Sequence, residues 1–321
     1  MKLVIKHRFS SVKADWERLY KLTPEVSPFM HPGAFAIAYR YFYPYYLIWR
    51  TIPTFAVFTD DVKVRAIVPL LKSKGKNRLF GDVNGFNECG ILYDDCAILP
   101  QVISLLHKRF GEVEFMKIDE RSPVSSYKGS TAKESKNVAI RFDDSFDEYF
   151  KVLSKSVRQN IRTAYNRLNT DGLLLSMKYF KPDIAVREDV PINQLVDLYV
   201  KRHAERYGVA TGRLKQWFLK HQSFATRYYI KAPNAFTSVL YINSEIVGFL
   251  SGLYDDKTII VPRLSIDSEF RRYSPGLVLI CETIKYLQQN TSIRCLDLSL
   301  GEEQYKYQLG GRSHLAYRFN I

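Results

Sequence analysis

The chain has 321 residues, of which 47 are Lys or Arg and 33 are Asp or Glu, so its formal net charge is +14. This length is enough for about two ordinary domains with packed cores, which excludes a chain that is mainly disordered. The positive charge favours polyanionic or phosphorylated partners. Nucleic acid, an anionic membrane and a nucleotide cofactor all remain open on charge alone.

The cysteines and the N-terminus exclude several further classes. Cys89, Cys96, Cys281 and Cys295 show no Cys-x-x-Cys spacing and have no histidines nearby in the sequence. We therefore expect no metal site and no disulfide framework, and we expect most of these cysteines to be buried. The N-terminal MKLVIKHRFSSVKADW lacks the apolar core of a signal peptide, and no apolar run is long enough to span a bilayer. We expect a cytoplasmic protein without a transmembrane segment, and its oligomeric state stays open.

Helical and strand patterns alternate in the first part of the chain. Helical spacing is present in ADWERLYKL, PGAFAIAYRYFYPYYL and PQVISLLHKRF. Strand patterns are present in TFAVFTDDVKVRAIVPLL, with a turn at Asp60-Asp61, and in EVEFMKIDE, while GDVNGFNECG is rich in turn formers. The segment from Ser122 to Lys136 is polar and predicts a surface linker or a crossing segment. We place the domain boundary there, with domains at residues 1–135 and 136–321.

The second part of the chain predicts helices followed by a meander of strands. SFDEYFKVLSKSVRQNIRTAYNRLNTDG predicts one long helix that ends at Gly172, and PINQLVDLYVKRHAERYG and RLKQWFLKHQSFATRYY predict two more. AFTSVLYINSEIVGFLSGLYDDKTIIVPRLSID predicts three strands joined by turns at Asn243-Ser244 and Asp255-Asp256. The first of these hairpins is similar in pattern to the one around Asp60-Asp61. A duplicated fold is therefore one interpretation, and two unrelated amphipathic hairpins are the other.

The stretch RRYSPGLVLICETIKYL predicts an anion site at a helix start. Ser274 is a good N-cap and the proline after it a good first helical residue, so the N–H groups of Gly276 and Leu277 would point out of the helix. Gly276 has no side chain to keep a ligand away, and Arg271 and Arg272 would add two charges. Together they suit phosphate, with a capped helix beside two solvated arginines as the alternative.

Strands are predicted on both sides of this helix, in KTIIVPRLSI before it and IRCLDLSLG after it. Pro262 cannot donate to a ladder, so it marks an edge or a bulge, where the two strands could splay and admit an extended ligand. Alternation in the second strand places Asp297 on the face opposite three leucines. On that face, the Asp297 side chain would either face a cleft or hydrogen-bond a loop.

Two further groups of residues are candidates. Lys151, Lys155, Arg158 and Arg162 fall in a narrow arc at 3.6 residues per turn, about a quarter turn from an apolar stripe. They suit either a solvated surface or an anionic ligand, which Arg binds through its planar fork of donors. His203, in VKRHAERYG, suits a packing or surface position, with a general base as the alternative.

Taken together, these segments resemble the C-terminal part of a GNAT N-acyltransferase, in the FemAB-like branch that includes the cellulose-biosynthesis (CelD-like) acetyltransferase-like proteins. The resemblance runs from about Phe146 to Gly310 and rests on the meander and on LSKSVRQNIRTAYNRL, RRYSPGLVLICETIKYL, IRCLDLSLG and YKYQLGG. It implies an α/β (α+β) fold of two tandem GNAT-like domains, each with a mixed, mostly antiparallel sheet flanked by helices. The usual phosphate loop, Arg/Gln-x-x-Gly-x-Gly/Ala, is replaced here by a stretch with the single glycine Gly276.

The resemblance implies transfer of an acyl group from acetyl-CoA or another acyl-CoA to an amine. The acceptor would be an amino sugar, an amino acid or a cell-envelope precursor. The branch also contains aminoacyl-tRNA-dependent peptidyltransferases of the FemABX type, so that activity, with tRNA as a partner, is one alternative. A catalytically inactive anion-binding protein is another.

The resemblance also implies roles for particular residues. Lys155, Arg158 and Arg162 match the branch's signature and would receive the anionic part of an acceptor or a CoA phosphate. Tyr305 and Lys306 match its Tyr-Lys pair, in which Tyr305 could donate to the leaving thiolate and Lys306 could bind a carboxylate or phosphate. The catalytic candidates are thus Asp297, Tyr305 and His203; the cofactor-binding candidates are Arg271, Arg272, Ser274, Gly276 and Leu277; and the substrate-binding candidates are Lys155, Arg158, Arg162 and Lys306.

Overall fold

The computed structural model describes residues 1–48, 50–73, 75–80, 90–142, 145–181, 190–207 and 213–321. The loop GDVNGFNECG, apart from its last glycine, and with it Cys89, lie outside the described residues. The chain divides into two compact units, one formed by Met1–Lys136 with His314–Ile321 and the other by Asn137–Ser313. The residues His314–Ile321, which we predicted to be in the C-terminal domain, thus lie in the first unit, and the predicted domain boundaries otherwise stay a prediction.

The strands and helices alternate along the described residues. The strands are β1 (Lys2–Lys6), β2 (Ile52–Thr59), β3 (Val64–Ser73), β4 (Lys76–Leu79), β5 (Leu92–Tyr93), β6 (Val113–Asp119), β7 (Lys133–Arg141), β8 (Leu175–Phe180), β9 (Ala235–Ile242), β10 (Glu245–Tyr254), β11 (Thr258–Ile266), β12 (Cys295–Leu300) and β13 (Arg312–Asn320). The helices are α1 (Lys13–Leu22), α2 (Pro32–Ile48), α3 (Leu99–Phe110), α4 (Phe146–Val152), α5 (Lys155–Thr170), α6 (Ile192–Tyr207), α7 (Arg213–Lys231), α8 (Pro275–Asn290) and α9 (Gln304–Gln308). None of these described helices is both long and apolar enough to cross a membrane.

The first unit is built on a sheet with the strand order β1-β2-β3-β4-β6-β13. Strands β1 to β4 pair antiparallel in sequence, β4 runs parallel to β6, and β6 pairs antiparallel with β13. The predicted turn at Asp60-Asp61 joins β2 to β3, and the Asp60 carboxylate accepts hydrogen bonds from the N–H groups of Val62 and Lys63 at 2.9 and 2.8 Å. Trp16 of α1 packs on Phe35 of α2, with ring centres 4.2 Å apart. The predicted helices and strands of this unit are therefore present.

The second unit is built on a sheet with the order β7-β12-β11-β10-β9-β8. Strands β8 to β11 form an antiparallel meander, β11 runs parallel to β12, and β12 pairs antiparallel with β7. At the turn between β9 and β10, Asn243 and Ser244 both have positive φ, 48° and 68°, as a two-residue hairpin turn with right-handed strand twist requires. The predicted mixed α/β class, with mostly antiparallel sheets flanked by helices, is confirmed.

Helices cover both faces of the second sheet. Ser238 of β9 hydrogen-bonds Thr283 of α8 at 2.7 Å, whereas its neighbour Thr237 bonds Ser251 of β10 at 2.8 Å, and Ser251 donates to the carbonyl of Tyr229 in α7. Because successive residues of a strand point to opposite faces, α7 and α8 lie on opposite sides of the sheet. Helices α4 and α5 pack with α8, and α6 packs with α7 and β11.

One predicted helix is in fact two, and the polar segment before it contains regular structure. The long helix predicted to end at Gly172 is two helices, because Leu153 is extended, with ψ 149°, and the Ser154 hydroxyl accepts a hydrogen bond from the Val157 N–H as a new N-cap. The polar segment, predicted to be a surface linker or a crossing segment, contains a short 3-10 helix, Pro123–Tyr127, and the first residues of β7. The helix does stop at Gly172, which has φ 66°.

Candidate functional site

The parallel pairing of β11 with β12 covers only part of both strands. It joins Thr258 to Cys295, Ile259 to Leu296 and Ile260 to Asp297. Strand β11 continues to residue 266 and β12 to residue 300, and no pairing between them is found there in the described part of the chain. We call this region, residues 261–266 of β11 and 298–300 of β12, the strand opening. It is where Pro262 predicted a break.

A bulge in β11 begins the strand opening, and Gly252 of β10 makes it possible. Ladder pairs place Gly252 opposite both Val261 and Pro262. A Cβ atom on Gly252 would lie 2.0 Å from the carbonyl oxygen of Ile260, so any other residue would force the backbones apart. We did not predict a role for Gly252, although an isolated glycine within a strand pattern indicates a bulge or a close backbone approach.

Helix α8 begins at Pro275, as predicted, but Ser274 does not cap it with its side chain. Ser274 is left-handed, with φ 48° and ψ 49°, which differs from the extended conformation in which an N-cap hydroxyl reaches the first turn. Its carbonyl instead accepts a hydrogen bond from the Leu277 N–H at 3.0 Å, so this N–H already has a partner, and the predicted cofactor-binding role of Leu277 stays a prediction. Gly276 lies in the first turn, and a Cβ there would make only ordinary contacts with Ile266, at 3.8 and 3.9 Å.

The two arginines before α8 differ in their partners. The Arg272 guanidinium lies 3.3 Å from the carboxylate of Asp171 at the end of α5, and the Arg272 carbonyl accepts from Arg167 at 2.8 Å. Tyr273 donates to the same carboxylate at 2.7 Å. Arg271 is exposed, and its side chain has no ion pair or hydrogen bond with any described residue. Arg272 therefore ties the chain before α8 to α5, whereas Arg271 is available to a ligand.

The basic face of α5 is divided in the same way. Its apolar stripe is buried as predicted, at Val157, Ile161, Ala164 and Leu168. The Arg158 guanidinium donates to the carbonyl oxygens of Leu153, at 2.5 Å, and of Lys151, at the end of α4. Lys155 and Arg162 are exposed and have no side-chain partner among the residues that the structure describes. Arg158 thus stabilises the α4 terminus, and the predicted substrate role of all three residues stays a prediction.

Lys306 is enclosed by oxygen atoms of its own chain. Its side chain is 3% exposed, and its ammonium nitrogen lies 2.9, 3.2, 3.0 and 3.0 Å from the carbonyl oxygens of four consecutive residues. Those residues are Leu298, Ser299, Leu300 and Gly301. The Glu303 carboxylate lies 3.1 Å away. An ammonium has three N–H donors, so these contacts engage all of them and hold the end of β12 in place. A role of Lys306 toward a ligand stays a prediction.

The three catalytic candidates lie in different surroundings. Asp297 is buried, and its carboxylate accepts from the N–H of Ser299, two residues further along β12, at 2.7 Å, so its catalytic role stays a prediction. Ser299 has φ 61°, and this left-handed residue ends the strand alternation on which the placement of Asp297 was based. Tyr305 is half-buried against the core of the second unit. His203 is half-buried on α6, with its ring centre 6.2 Å from that of Tyr199.

One cation that we did not predict lies in the strand opening itself. Arg263 of β11 is half-buried on the face covered by α6 and α7. Its guanidinium donates to the side chains of Thr226, at 3.3 Å, and Gln222, at 3.2 Å. The sequence signal for this position is weak, since a single arginine after Pro262 in an apolar strand also fits an exposed edge.

The described residues contain no metal-binding group, and two of their three cysteines are buried. No group of three or more His, Cys, Asp or Glu residues there could hold a metal ion. Burial in α8 raises the pKa of the Cys281 thiol to about 12, so this thiol stays protonated and unreactive at neutral pH. Cys295 is buried as well, whereas Cys96 is exposed.

Comparison with known proteins agrees with the architecture of the second unit. Residues 155–307 match the family model described as an acetyltransferase (GNAT) domain. The whole chain is similar in structure to FemX, with a TM-score of 0.62, 9% sequence identity, and coverage of 100% of this chain and 98% of that chain. A protein of unknown function from Bacteroides thetaiotaomicron VPI-5482 is similar with a TM-score of 0.60, 14% identity, and coverage of 99% of this chain and 98% of that chain.

A search of curated proteins found no sequence match. At these low identities the structural likeness establishes the fold and not the activity. The protein therefore has a GNAT-type, acyltransferase-like fold, and its match to the GNAT domain runs from the start of α5 into α9.

Proposed function

We propose that the protein is an N-acyltransferase of the FemAB-like branch, which moves an acyl group from acyl-CoA to an amine of an amino sugar, an amino acid or a cell-envelope precursor. The observation that carries the proposal is the strand opening, where β11 and β12 stop pairing after Ile260 and Asp297. The start of α8 follows β11 along the chain. An unpaired strand edge and a helix N-terminus together suit a ligand with an amide-bearing arm and a phosphate group.

In this proposal the two parts of acyl-CoA are bound by different elements. The extended arm lies along the β11 edge in the strand opening and hydrogen-bonds its backbone groups. The pyrophosphate lies at the α8 start, where the Gly276 N–H and the positive end of the helix dipole face it. Arg271 adds a full charge there without a competing carboxylate in the described part of the chain. Its guanidinium can therefore make charge-assisted hydrogen bonds to phosphate oxygens.

The reaction then needs a polarised carbonyl, a neutral amine and two proton transfers. Backbone N–H groups of β11 in the strand opening would polarise the thioester carbonyl. The amine nitrogen attacks that carbon and loses a proton to a base, for which His203 and Asp297 are the candidates. The carbon–sulfur bond breaks, and the thiolate takes a proton from Tyr305. The products are the N-acylated acceptor and the free thiol of CoA.

A second candidate is an aminoacyl-tRNA-dependent peptidyltransferase of the FemABX type. The exposed Lys155 and Arg162 favour it, because unpaired cations on one helix face suit a phosphate backbone. The full-length likeness to FemX fits this candidate as well, at the level of the fold.

Calorimetry with acetyl-CoA, longer acyl-CoAs and bulk tRNA decides between these candidates. We expect an acyl-CoA to bind and the Arg271→Gln variant to weaken that binding by about tenfold, as loss of one charge-assisted hydrogen bond predicts. Arg272→Gln is the matched control, and it should weaken binding less, because Arg272 is paired with Asp171. Binding of tRNA alone would support the second candidate, and binding of neither would leave an inactive anion-binding protein.

Substitution of Gly276 tests the α8 start separately from the arginines. Ala and Val both place a Cβ in ordinary contact with Ile266, so both variants should fold. The bulkier Gly276→Val should weaken acyl-CoA binding, since its methyl groups lie beside the helix N–H groups that face the phosphates. Unchanged acyl-CoA affinity in a folded Gly276→Val protein would show that the pyrophosphate binds elsewhere.

A further inference from the structure

Arg263 is held in one orientation by the second unit. Its guanidinium carbon lies 4.8 Å from the centre of the Tyr199 ring in α6 and 5.0 Å from that of Tyr229 in α7. Its N–H groups donate to Thr226 and Gln222 of α7 and to the carbonyl oxygen of Pro262, at 3.3, 3.2 and 3.0 Å. Aromatic contacts and neutral acceptors therefore fix the plane of the fork before any ligand binds.

No carboxylate neutralises this cation in the part of the chain that the structure describes. The oxygen atoms that Arg263 contacts belong to a hydroxyl, an amide and a backbone carbonyl. A half-buried guanidinium without an anion is costly, because burial removes water that would solvate its charge. Arg294 shows the common structural use of such a side chain, since it donates to the carbonyls of Thr291 and Ile293 in its own loop.

The position of Arg263 sets it apart from Arg294. It lies three residues beyond Ile260, where the pairing of β11 with β12 ends, so it belongs to the strand opening. It faces α6 and α7, whereas α8, whose start holds the proposed phosphate site, lies on the other face of the sheet. A second anion could therefore be bound on the α6 and α7 face without competing with the one at the α8 start.

We propose that Arg263 binds an oxyanion of the acceptor, a carboxylate or a phosphate, and so positions the acceptor amine at the strand opening. This inference rests on the proposed acyltransferase function and narrows its acceptors to amines that carry a negative charge. The planar fork suits either oxyanion, because both present two oxygens to paired N–H donors.

The binding test needs no acyl-CoA. In calorimetry, the wild type, Arg263→Gln and Arg271→Gln would each be titrated with glucosamine 6-phosphate and with alanine. Glucosamine and alaninamide, which lack the phosphate and the carboxylate, are the neutral counterparts of these two probes. We expect a charged probe to bind the wild type and Arg271→Gln alike and to bind Arg263→Gln about tenfold to one hundredfold more weakly. Phosphate-bearing and carboxylate-bearing probes separate the two kinds of oxyanion.

The Gln222→Glu variant tests the charge itself. It keeps the shape of the side chain and gives the Arg263 guanidinium a carboxylate at the place of the amide oxygen that it now contacts at 3.2 Å. This internal anion should compete with the acceptor's oxyanion, so affinity for the charged probes should fall while Arg263 stays in place. Arg294→Gln, which removes a guanidinium that donates to two backbone carbonyls, is the matched control and should bind the probes as the wild type does.

The outcomes separate the inference from the proposed function. If acyl-CoA binds but the charged probes have equal affinity for wild type and Arg263→Gln, including no measurable binding to either, the inference is overturned and the acyltransferase proposal stands. If acyl-CoA does not bind while the charged probes lose affinity in Arg263→Gln, the oxyanion site stands and the donor assignment falls. With acyl-CoA present, the ratio of kcat/KM for charged over neutral acceptors should fall in Arg263→Gln by the same factor as the affinity.

Discussion

The two units share the pairing of five strands but differ in their chemistry at the helix that precedes the fifth of these strands. In each, four strands that pair antiparallel in order are followed by a helix and by a fifth strand parallel to the fourth, β6 in one unit and β12 in the other. The first unit also has β5, which lies between β4 and α3 along the chain and pairs with β3. Before α3, Asp95 caps a 3-10 turn, and Asp94 pairs with Arg65 at 2.8 Å. Before α8, Arg271 has no ion pair with any residue that the structure describes. The shared pairing favours the interpretation of a duplicated fold, and the helix start of the second unit is the one that we propose as a phosphate site.

The end of the fifth strand is also held differently in each unit. In the first, the carboxylate of Asp119 at the end of β6 binds Arg121 at 2.7 Å and His314 at 3.0 Å. In the second, the Lys306 ammonium binds the carbonyl oxygens at the end of β12. A similar position in the fold is thus stabilised by a half-buried anion in one unit and by a buried cation in the other.

The largest effect should come from Lys306→Met, which removes the cation at the end of β12 but keeps the side-chain length. The substitution leaves the Glu303 carboxylate and several backbone carbonyls without their donor, so we expect a loss of about 3 to 5 kcal/mol in the free energy of unfolding. Denaturant unfolding measures it. Lys155→Met is the control, because Lys155 is exposed and should change stability by no more than about 0.5 kcal/mol. Equal stability of the two variants would show that Lys306 does not hold β12.

The next largest effect should come from Gly252→Ala, which tests whether the bulge in β11 creates the strand opening. Its new Cβ would lie 2.0 Å from the Ile260 carbonyl oxygen, so the strands must shift, at about 1 to 3 kcal/mol. Acyl-CoA affinity should fall with stability, because the β11 edge moves. Gly129→Ala is the control, since a Cβ there meets no atom within 4 Å. An unchanged acyl-CoA affinity in folded Gly252→Ala would show that acyl-CoA binding does not depend on the bulge in β11.

A smaller effect on stability is expected when the pH is lowered, through Asp119 of the first unit. Burial alone would raise the pKa of Asp119, but hydrogen bonds from Arg121 and His314 and the Arg121 charge hold that pKa well below its usual range. The stability from this lowered pKa is present above the unfolded-state pKa of about 3.9 and is lost as pH falls below it. The difference in melting temperature between wild type and Asp119→Asn should therefore shrink from pH 5 to pH 2. A difference independent of pH would mean that the carboxylate charge contributes nothing.

The smallest changes in stability are expected from substitutions of two arginines of α5, and the two substitutions should differ in their effects. Arg158→Gln removes donors from carbonyls at the end of α4 and should cost about 1 kcal/mol in unfolding free energy. Arg162→Gln should cost no more than about 0.5 kcal/mol, but it should weaken productive binding of an anionic ligand by about tenfold if its predicted substrate role holds. That loss should shrink at higher salt, because screening already weakens the contact in the wild type. Equal kcat/KM for wild type and Arg162→Gln at two ionic strengths would show that Arg162 is a solvated surface residue without a role in ligand binding.

Much of the fold could be predicted because its signals are local. The hairpin turn at Asn243-Ser244, the stop at Gly172 and the start of α8 at Pro275 depend on residues within one turn of the chain. The break after Val152 was missed because helical periodicity continues across it, and only the hydroxyl of Ser154 marks a new start. The candidate site was predicted in outline, through Pro262 and the α8 start.

The sequence by itself determined most of the helices, the strands β2, β3, β6 and β9 to β12, which face of α5 is apolar, and where cations are concentrated. It did not determine which cations are available to a ligand, and only the tertiary structure decided that. Arg272 is paired with Asp171, a residue 101 positions away, and Arg263 is oriented by Thr226, 37 positions away. The physical reason is that a charge is neutralised or left available by the groups that folding brings within a few ångströms of it, and these contacts are set by packing rather than by spacing along the chain.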